Sequence, residues 1–363
     1  MHFFDFLNIA GKYPFIGTLV TFLAGLVLMP MVLRFAKRKN MVVRPNKRTS
    51  HNGAVPNIGG LDIFCSLLLV FITLLMFNRL SMPFFIGFCL LFAIGFIDDR
   101  LILSPYWKLL GETICAFFLI FLADIRITSL YGIFGIDELP FWASYLLSYF
   151  VYITIVNALN LIDGIDGLAS GLGIIYCLFF GFWFYLIGYE YNALFCFSAV
   201  GSLFVFFLYN VFGRSSRKIF MGDSGSLILG YLVTFFAFQF LDINANTLPH
   251  DKEVFRFLSA PAALICVLFI PLFDIVRVAL TRIKHGISPL NADRNHIHHL
   301  LLRLGLNHNQ VTAILLSISL LFIALAIFCK DVNMYVLILI ALLSGILLIF
   351  LLWRLVDKKE ENQ

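Results

Sequence analysis

Long apolar runs dominate this chain and restrict it to one class of fold. Eleven runs approach or reach the length that a helix needs to cross a bilayer, about 17–25 residues. They occupy residues 14–34, 58–77, 82–97, 107–123, 141–161, 168–188, 191–212, 224–241, 257–276, 311–328 and 332–353. With 61% hydrophobic and 13% charged residues, the chain is not a soluble globular protein. We predict an all-α, polytopic integral membrane protein with about eleven transmembrane helices, forming a single domain over residues 1–363.

The basic residues are distributed unequally between the two sides of the predicted membrane. With the N-terminus outside, only six of the 26 Lys and Arg residues fall in outer segments, namely Lys12, Arg79, Arg126, Lys252, Arg256 and Lys330. Cytoplasmic loops of membrane proteins carry an excess of Lys and Arg. We therefore predict an outer N-terminus and a cytoplasmic C-terminus.

This topology places the polar clusters of the chain on the cytoplasmic face. The predicted active-site loops are residues 35–57, 98–108, 157–167, 213–223 and 277–310. One-sided chemistry suits an enzyme that takes a soluble cytoplasmic substrate, whereas a transporter more often has polar groups near mid-membrane. A transporter of an anionic metabolite remains the alternative from another functional class.

Polar groups recur every third residue over residues 157–167, at Asn157, Asn160, Asp163 and Asp166. Residues three apart share one face of a helix, so the four side chains are expected to form one stripe. An Asp at mid-bilayer costs about 2.5–3.5 kcal/mol on insertion scales. The stripe is therefore predicted to be functional.

Two adjacent carboxylates, Asp98 and Asp99, end an apolar run, and Lys108 follows after a proline. Adjacent carboxylates repel each other unless a cation or a proton intervenes, so a Mg²⁺ site or a base is predicted here. A solvated pair beside Arg100 is the alternative. Lys108 can either reach a phosphate or extend its charge toward water.

The sequence Gly-Asp-Ser-Gly at residues 222–225 opens another apolar run. Glycines let the backbone approach a ligand closely, and amides at a helix N-terminus favour phosphate oxygens. Under the alternative interpretation, Asp223 is only an N-cap residue.

Three histidines, His296, His298 and His299, follow Arg294 in a predicted cytoplasmic loop, and His296 and His299 are expected to share a helical face. Structural zinc usually has four ligands, and no Cys or Glu is near. We favour histidines that donate hydrogen bonds to phosphate oxygens, helped by Arg294. A zinc site and a solvated cluster are the alternatives.

The first predicted cytoplasmic loop is rich in Lys and Arg and contains His51. It is interpreted as an anchor for anionic lipids, as a shaped loop punctuated by Pro56 and two glycines, or as both. Together the loops hold carboxylates, histidines and cations on one side of a membrane. This combination suits a Mg²⁺-dependent reaction between a soluble polyphosphate and a lipid phosphate.

In combination, these motifs resemble the polyprenyl-phosphate N-acetylhexosamine-1-phosphate transferase family. The matching motifs are the double aspartate with Lys108, N-x-x-N-x-x-D-G-x-D-G-L at 157–168, G-D-S-G at 222–225 and D-R-x-H-x-H-H at 293–299. Relatives that transfer phospho-MurNAc-pentapeptide usually have three contiguous histidines, whereas Ile297 interrupts them here. The resemblance is therefore to the UDP-GlcNAc branch, with the pentapeptide transferase as the alternative. Thr49 and Ala54 depart from that branch and leave the exact sugar open.

The resemblance implies a transferase of the bacterial inner membrane that starts a cell-envelope glycan, such as lipopolysaccharide or another cell-wall polymer. Its implied partners are a UDP-N-acetylhexosamine, undecaprenyl phosphate and membrane lipids, without nucleic acid, and a homodimer is left open. The implied cofactor is Mg²⁺, with Mn²⁺ as the alternative ion. The implied roles are metal binding by Asp223 and Asp99, catalysis by Asp98, Asp99, Lys108 and His296, and substrate binding by Asn157, Asn160, Asp163, Asp166, His51, Arg294, His298 and His299.

Overall fold

The computed structural model describes residues 13–43, 55–76, 79–214, 216–286 and 296–361. Within these ranges the chain is mostly helical. The helices are α1 (Ile16–Arg38), α2 (Gly59–Met76), α3 (Met82–Leu101), α4 (Pro105–Ala116), α5 (Phe141–Ile162), α6 (Leu168–Leu186), α7 (Glu190–Val211), α8 (Gly222–Asp242), α9 (Ala260–Val267), α10 (Phe269–Lys284), α11 (Ile297–Arg303), α12 (His308–Phe328) and α13 (Met334–Glu361).

Several short elements complete the described chain. Helices α4 and α8 continue as π-helical turns at Phe117–Leu122 and Ile243–Thr247, and His250–Phe255 forms a 3₁₀ helix. Two antiparallel pairs of strands join β1 (Val42–Val43) to β2 (Val55–Pro56) and β3 (Ser129–Ile133) to β4 (Ile136–Glu138).

The prediction of about eleven membrane-spanning helices is confirmed. Among the described residues, ten helical segments are long and apolar enough to cross a membrane, and α9 with α10 forms an eleventh candidate. The apolar run at residues 257–276 corresponds to α9 and the first part of α10, between which the chain bends by 83°. Pro271 has no N–H and its ring would clash with the carbonyl four residues earlier, so a continuous helix through this point is disfavoured. The side of the membrane on which each terminus lies stays a prediction.

Helix α8 forms the centre of the bundle. Of the most apolar 18-residue stretch of this helix and its π-helical turn, 89% is buried inside the protein. The corresponding share for the peripheral α13 is only 22%. It packs against α2, α3, α5, α6 and α9, with Tyr231 and Phe236 fully buried. A helix that is apolar on all sides can be covered by protein or by lipid, and the burial of α8 shows that protein covers it. The first turn of α8 is therefore held in place from several directions.

Two glycines allow α2 and α3 to approach that first turn. A Cβ atom on Gly95 of α3 would lie 2.6 Å from Cα of Ser224, and one on Gly60 of α2 would overlap the backbone of Gly225. Neither position has room for a side chain. This close packing brings the last turn of α3, with its two aspartates, against the N-terminus of α8.

Candidate active site

The side chain of Lys108 joins carboxylates from two other helices. Its Nζ lies 2.6 Å from Oδ1 of Asp223 and 3.2 Å from Oδ2 of Asp98. It also donates a 3.3 Å hydrogen bond to Oδ1 of Asn160. The structure thus brings together residues from three separate predicted loops.

The local sequence explains how Lys108 reaches this position. Helix α3 ends at Leu101, and Ile102 adopts a left-handed conformation with φ of 52°. The backbone N–H of Leu103 then donates a 2.6 Å hydrogen bond to Oδ1 of Asp98. Pro105 starts α4, where its missing N–H and fixed φ suit the first helical turn. Lys108 consequently lies one turn into α4 and points back toward the end of α3.

Asp99 binds the N-terminus of α8. Its Oδ1 accepts hydrogen bonds from the Asp223 backbone N–H at 2.7 Å and from Nδ2 of Asn57 at 3.1 Å. Its Oδ2 accepts from the backbone N–H and the hydroxyl of Ser224 at 3.0 and 2.7 Å. A carboxylate at this place satisfies free amides and interacts favourably with the helix dipole. The metal-binding role of Asp99 stays a prediction.

The stripe predicted over residues 157–167 does not extend to its two carboxylates. Helix α5 ends at Ile162, and Asp163 follows it with φ of −74° and ψ of 38°. Asp166 lies in the turn before α6, which Gly167 opens with a positive φ of 77°. The expectation of a single helical stripe is therefore wrong, because the glycines in this segment end the helix one turn early.

The two amides of the stripe do lie on α5, and they contact different carboxylates. Nδ2 of Asn160 donates hydrogen bonds to Oδ1 of Asp223 at 2.5 Å and to Oγ of Ser226 at 2.8 Å. One turn earlier, Nδ2 of Asn157 donates a 2.6 Å hydrogen bond to Oε2 of Glu112. Asn160 therefore joins Lys108, Asp98 and Asp223 in one group, called the Lys108 cluster. Asn157 hydrogen-bonds to Glu112, which lies on α4 as Lys108 does.

Glu112 is a site residue that the sequence reasoning missed. It is 1% exposed, and its Oε1 has no hydrogen-bond partner among the described residues. A signal for it existed, since Glu112 lies four residues after Lys108 and hence on the same face of α4. A carboxylate within an apolar run is also a functional candidate in its own right.

Asp163 lies among several other carboxylates. Burial raises its pKa well above the ordinary value, and the charges of Asp223, Asp99 and Asp166 raise that pKa further. The residue is nevertheless only partly buried. The crowding of carboxylates around it is suited to a cation.

Asp166 holds a different set of partners. Its Oδ2 lies 2.7 Å from Nζ of Lys218 and 3.3 Å from Nδ1 of His308. Burial by itself would raise the pKa of Asp166, but the hydrogen bonds from His308 and Lys218 bring that pKa below its ordinary value. The hydroxyl of Thr312 also donates to the Asp166 backbone carbonyl at 2.7 Å. The turn after α5 is thus fastened to α12 and to the segment before α8.

The histidine cluster is held by Asp274 of α10, a second residue that the sequence reasoning missed. Oδ2 of Asp274 lies 2.9 Å from Nδ1 of His296, and its Oδ1 accepts a 3.0 Å hydrogen bond from the backbone of Ile297. Because α11 begins at Ile297, His296 precedes the helix in an extended conformation. The expectation that His296 and His299 share a helical face is therefore wrong. Asp274 was missed because it lay inside a predicted membrane span.

His298 connects the histidine cluster to the turn after α5. A Cβ atom on Gly164 would lie 2.7 Å from Nε2 of His298, whose ring centroid is 4.2 Å from that of His299. Burial, followed by the nearby His299, lowers the pKa of His298 to about 3. The imidazole is consequently neutral near pH 7. His51 and Arg294 lie outside the described residues, so their predicted roles stay predictions.

The oxygen-rich part of the site fits a hard divalent cation. No group of three or more His, Cys, Asp or Glu side chains in the described ranges is spaced to hold a metal ion. Mg²⁺, however, is commonly bound by one or two carboxylates together with substrate phosphates and waters. The crowding of negative charge around Asp163 and Asp223 is an arrangement that such an ion relieves. Asp223, whose side chain is 31% exposed, is the accessible carboxylate of the Lys108 cluster.

Comparison with known proteins gives one family model and several relatives that cover most of the chain. The sequence model of glycosyl transferase family 4 matches residues 80–241, which contain Asp98, Lys108, Asn160 and Asp223. The chain is 29% identical over 306 residues to the undecaprenyl-phosphate alpha-N-acetylglucosaminyl 1-phosphate transferase of Yersinia pestis, covering 81% of this chain and 79% of the relative. The protein of that name from Escherichia coli strain K12 is 28% identical over 282 residues, or 76% and 73% of the two chains. The decaprenyl-phosphate N-acetylglucosaminephosphotransferase of Mycobacterium leprae is 30% identical over 303 residues, or 77% and 74%.

Proposed function

The chain belongs to glycosyl transferase family 4, and on that premise we propose that it transfers N-acetylglucosamine 1-phosphate from UDP-GlcNAc to undecaprenyl phosphate. The products are UMP and a lipid diphospho-sugar that starts a cell-envelope glycan. The relatives are named for the same sugar phosphate, on an undecaprenyl or a decaprenyl carrier. Neither a pentapeptide transferase nor a transporter is favoured by these names.

The position of Lys108 is the observation that best supports this reaction. Its neighbours on the first turn of α4, Tyr106 and Trp107, are 79% and 67% exposed. Aromatic side chains of this kind collect at the boundary between membrane and water. An ammonium group at that depth, paired with Asp98 and Asp223, lies where a lipid phosphate and a soluble nucleotide can meet.

The proposed roles follow from the contacts. Lys108 neutralises the lipid phosphate, and Asp98, which Lys108 and the Leu103 amide hold in place, orients it. When bound by Asp223, Mg²⁺ supplies positive charge against the phosphoryl oxygens of the donor. Asn160 fixes the orientation of the Asp223 carboxylate.

The turn after α5 and the histidines form the second half of the proposed site. Asp163 and Asp166 lie on the nucleotide side, and His298 meets the same turn at Gly164. A neutral imidazole keeps one N–H donor, which suits a hydrogen bond to a diphosphate oxygen. His296, fixed by Asp274, is proposed to act beside it on the donor.

We also propose that the protein resides in the bacterial inner membrane with its site on the cytoplasmic face. The excess of Lys and Arg in the predicted inner segments supports this orientation. Labelling of engineered cysteines in intact cells tests it. Residues near Asp223 should react only after permeabilisation, and labelling from outside would overturn the orientation.

The reaction is tested with purified protein, undecaprenyl phosphate and one UDP-sugar at a time. We expect metal-dependent UMP release with UDP-GlcNAc and a lipid product whose mass matches undecaprenyl-diphospho-GlcNAc. Turnover of UDP-MurNAc-pentapeptide alone would assign the protein to the other branch. Uptake into proteoliposomes without UMP release would instead indicate a transporter.

A further inference from the structure

A group of cations outside the proposed active site lines two adjoining open clefts at the end of α7, one of which is also bordered by α1. One cleft of about 480 Å³ is lined by Tyr209, Phe212, Arg214 and Arg217, among others. The other, of about 410 Å³, is lined by Arg34, Lys37, Tyr209 and Arg217. Because Tyr209, Ser216 and Arg217 border both, we treat them as one surface, called the basic cleft.

The charge of the basic cleft is largely uncompensated. Arg34, Arg214 and Arg217 are exposed and form no salt bridge with any residue in the described ranges. Lys37 donates a 2.7 Å hydrogen bond to the backbone carbonyl of Ser216. This bond joins the two sides of the cleft, but a neutral carbonyl does not compensate the charge of Lys37. None of the described residues that line the two clefts is acidic. The cleft therefore favours an anion.

The walls of the cleft indicate which kind of anion. Pro30 and Leu33 form an apolar part of its lining, and Phe212, 69% exposed, borders it on the other side. On α1, Met31 beside the cleft is also 57% exposed. Apolar side chains next to a cluster of arginines at the end of two membrane helices match a molecule with a charged head and an apolar tail.

We propose that the basic cleft binds the phosphate headgroup of an anionic phospholipid, with its acyl chains along the exposed apolar side chains of α1 and α7. Arginines suit this ligand because the guanidinium fork donates paired hydrogen bonds to phosphate oxygens. The site lies apart from Lys108 and Asp223 and is not a second site for the reacting lipid phosphate.

The cleft is connected to the proposed active site by a short segment of chain. The backbone carbonyl of Arg214 accepts hydrogen bonds from the N–H groups of Arg217 and Lys218 at 2.7 and 2.9 Å. The side chain of Lys218 in turn pairs with Asp166 at 2.7 Å. A headgroup that holds Arg214 and Arg217 should therefore order residues 216–221, which lead directly into α8.

The test compares the protein in phosphatidylcholine nanodiscs with and without phosphatidylglycerol, using amide hydrogen exchange over residues 216–221. Native mass spectrometry counts the phosphatidylglycerol molecules retained. We expect phosphatidylglycerol to be retained and to slow exchange in this segment. Substituting Arg34→Gln, Arg214→Gln and Arg217→Gln together should weaken retention by at least about tenfold, because each basic residue contributes to attraction toward anionic lipid.

The control variant removes the same charge elsewhere, with Arg38→Gln, Lys39→Gln and Arg354→Gln, none of which lines the cleft. This variant should retain phosphatidylglycerol and the slow exchange. Equal loss in both variants would show attraction by surface charge in general and would overturn the site. A third arm adds inorganic phosphate or glycerol 3-phosphate to phosphatidylcholine nanodiscs, and equal protection there would make it a site for soluble phosphate. No difference between the two lipid compositions would also overturn the proposal.

Discussion

Lys108 and Asp223, which are 115 residues apart in the chain, form an ion pair of 2.6 Å at the start of two membrane helices. Asp98 shares the same ammonium group at 3.2 Å. Lys108 therefore reduces the repulsion between two carboxylates that would otherwise disfavour each other in a poorly solvated place. The ion pair holds the Asp223 carboxylate in the first turn of α8, where its side chain is 31% exposed.

The first prediction concerns the charge of Asp223. Asp223→Asn preserves the size of the side chain but removes the charge proposed to bind Mg²⁺. We expect kcat to fall by about 10²-fold or more, the range seen when a key electrostatic group is lost. UMP release measures the effect, and a chelator should abolish the activity of the unmodified protein.

The matched control lies at the other end of the same helix. Asp242 ends α8 and accepts hydrogen bonds from Thr128 and Asn246. Asp242→Asn should leave kcat nearly unchanged. If Asp223→Asn is as active as this control, the metal is bound elsewhere, with Asp98 and Asp99 as the next candidates.

The second prediction concerns the pair formed by Glu112 and Asn157. Glu112→Gln retains an oxygen that accepts the Asn157 hydrogen bond, so its effect on stability should be small. Glu112→Leu leaves the Asn157 amide without this acceptor in a buried place, which costs about 1–3 kcal/mol of unfolding free energy. We also expect kcat to fall in Glu112→Leu. Asn157 lies one turn before Asn160 on α5, so a shift of Asn157 should also move Asn160. Thermal unfolding in detergent and UMP release provide the two measurements.

A double substitution separates this hydrogen bond from simple packing. Replacing both partners with apolar residues of similar size is often nearly neutral. Glu112→Leu combined with Asn157→Leu should therefore be more stable than Glu112→Leu alone. Additive losses of stability in the double variant would show that the hydrogen bond between the two side chains is unimportant.

The third prediction concerns pH and His298. The pKa of this residue is about 3 in the folded protein, below the ordinary value of about 6.5 expected when it is unfolded. Below pH 6.5 the unfolded state therefore binds more protons than the folded state, so stability decreases as the pH falls. His298 alone should remove about 1.4 kcal/mol by pH 5.5. Stability above pH 7 is unaffected by this group.

Unfolding midpoints measured from about pH 7.5 to about pH 5.5 test the predicted loss of stability on the intact protein and on two variants. His298→Gln should flatten the decrease with falling pH. His285→Gln, at an exposed histidine after α10, should retain the decrease. An equally steep decrease in His298→Gln would show that other groups cause it.

The sequence was sufficient to predict the helical membrane fold and most residues of the Lys108 cluster, because intramembrane polar residues stand out against apolar runs. It was insufficient where the outcome depended on contacts between distant helices. That Asp98 and Asp223 share one ammonium group follows from the packing of Gly60 and Gly95 against α8, which no local pattern predicts. Asp99, adjacent to Asp98 in sequence, faces the α8 amides instead.

The predictions that were wrong or incomplete have causes in the local sequence. The stripe after Asn160 was extrapolated from spacing alone, whereas the glycines that follow end the helix. Asp274 was missed because it lay inside the span predicted at residues 257–276, although Pro271 was a visible sign of a bend there. Glu112 was recognisable from its position one turn after Lys108. In the first two cases, residues that change backbone geometry outweighed a regular pattern of side chains.

The last prediction concerns the order of bond making. A lipid phosphate is already an anionic nucleophile near neutral pH, because its second pKa is about 6. Reaction through a protein nucleophile would require the Asp98 carboxylate to attack first and form a mixed anhydride. Both oxygens of Asp98 are engaged, one by the Leu103 amide and one by Lys108. We therefore expect the lipid phosphate to attack the β-phosphorus of UDP-GlcNAc in one step. Delipidated protein should then exchange no labelled UMP into UDP-GlcNAc until undecaprenyl phosphate is added, whereas lipid-free exchange that is lost in Asp98→Asn would make Asp98 the nucleophile.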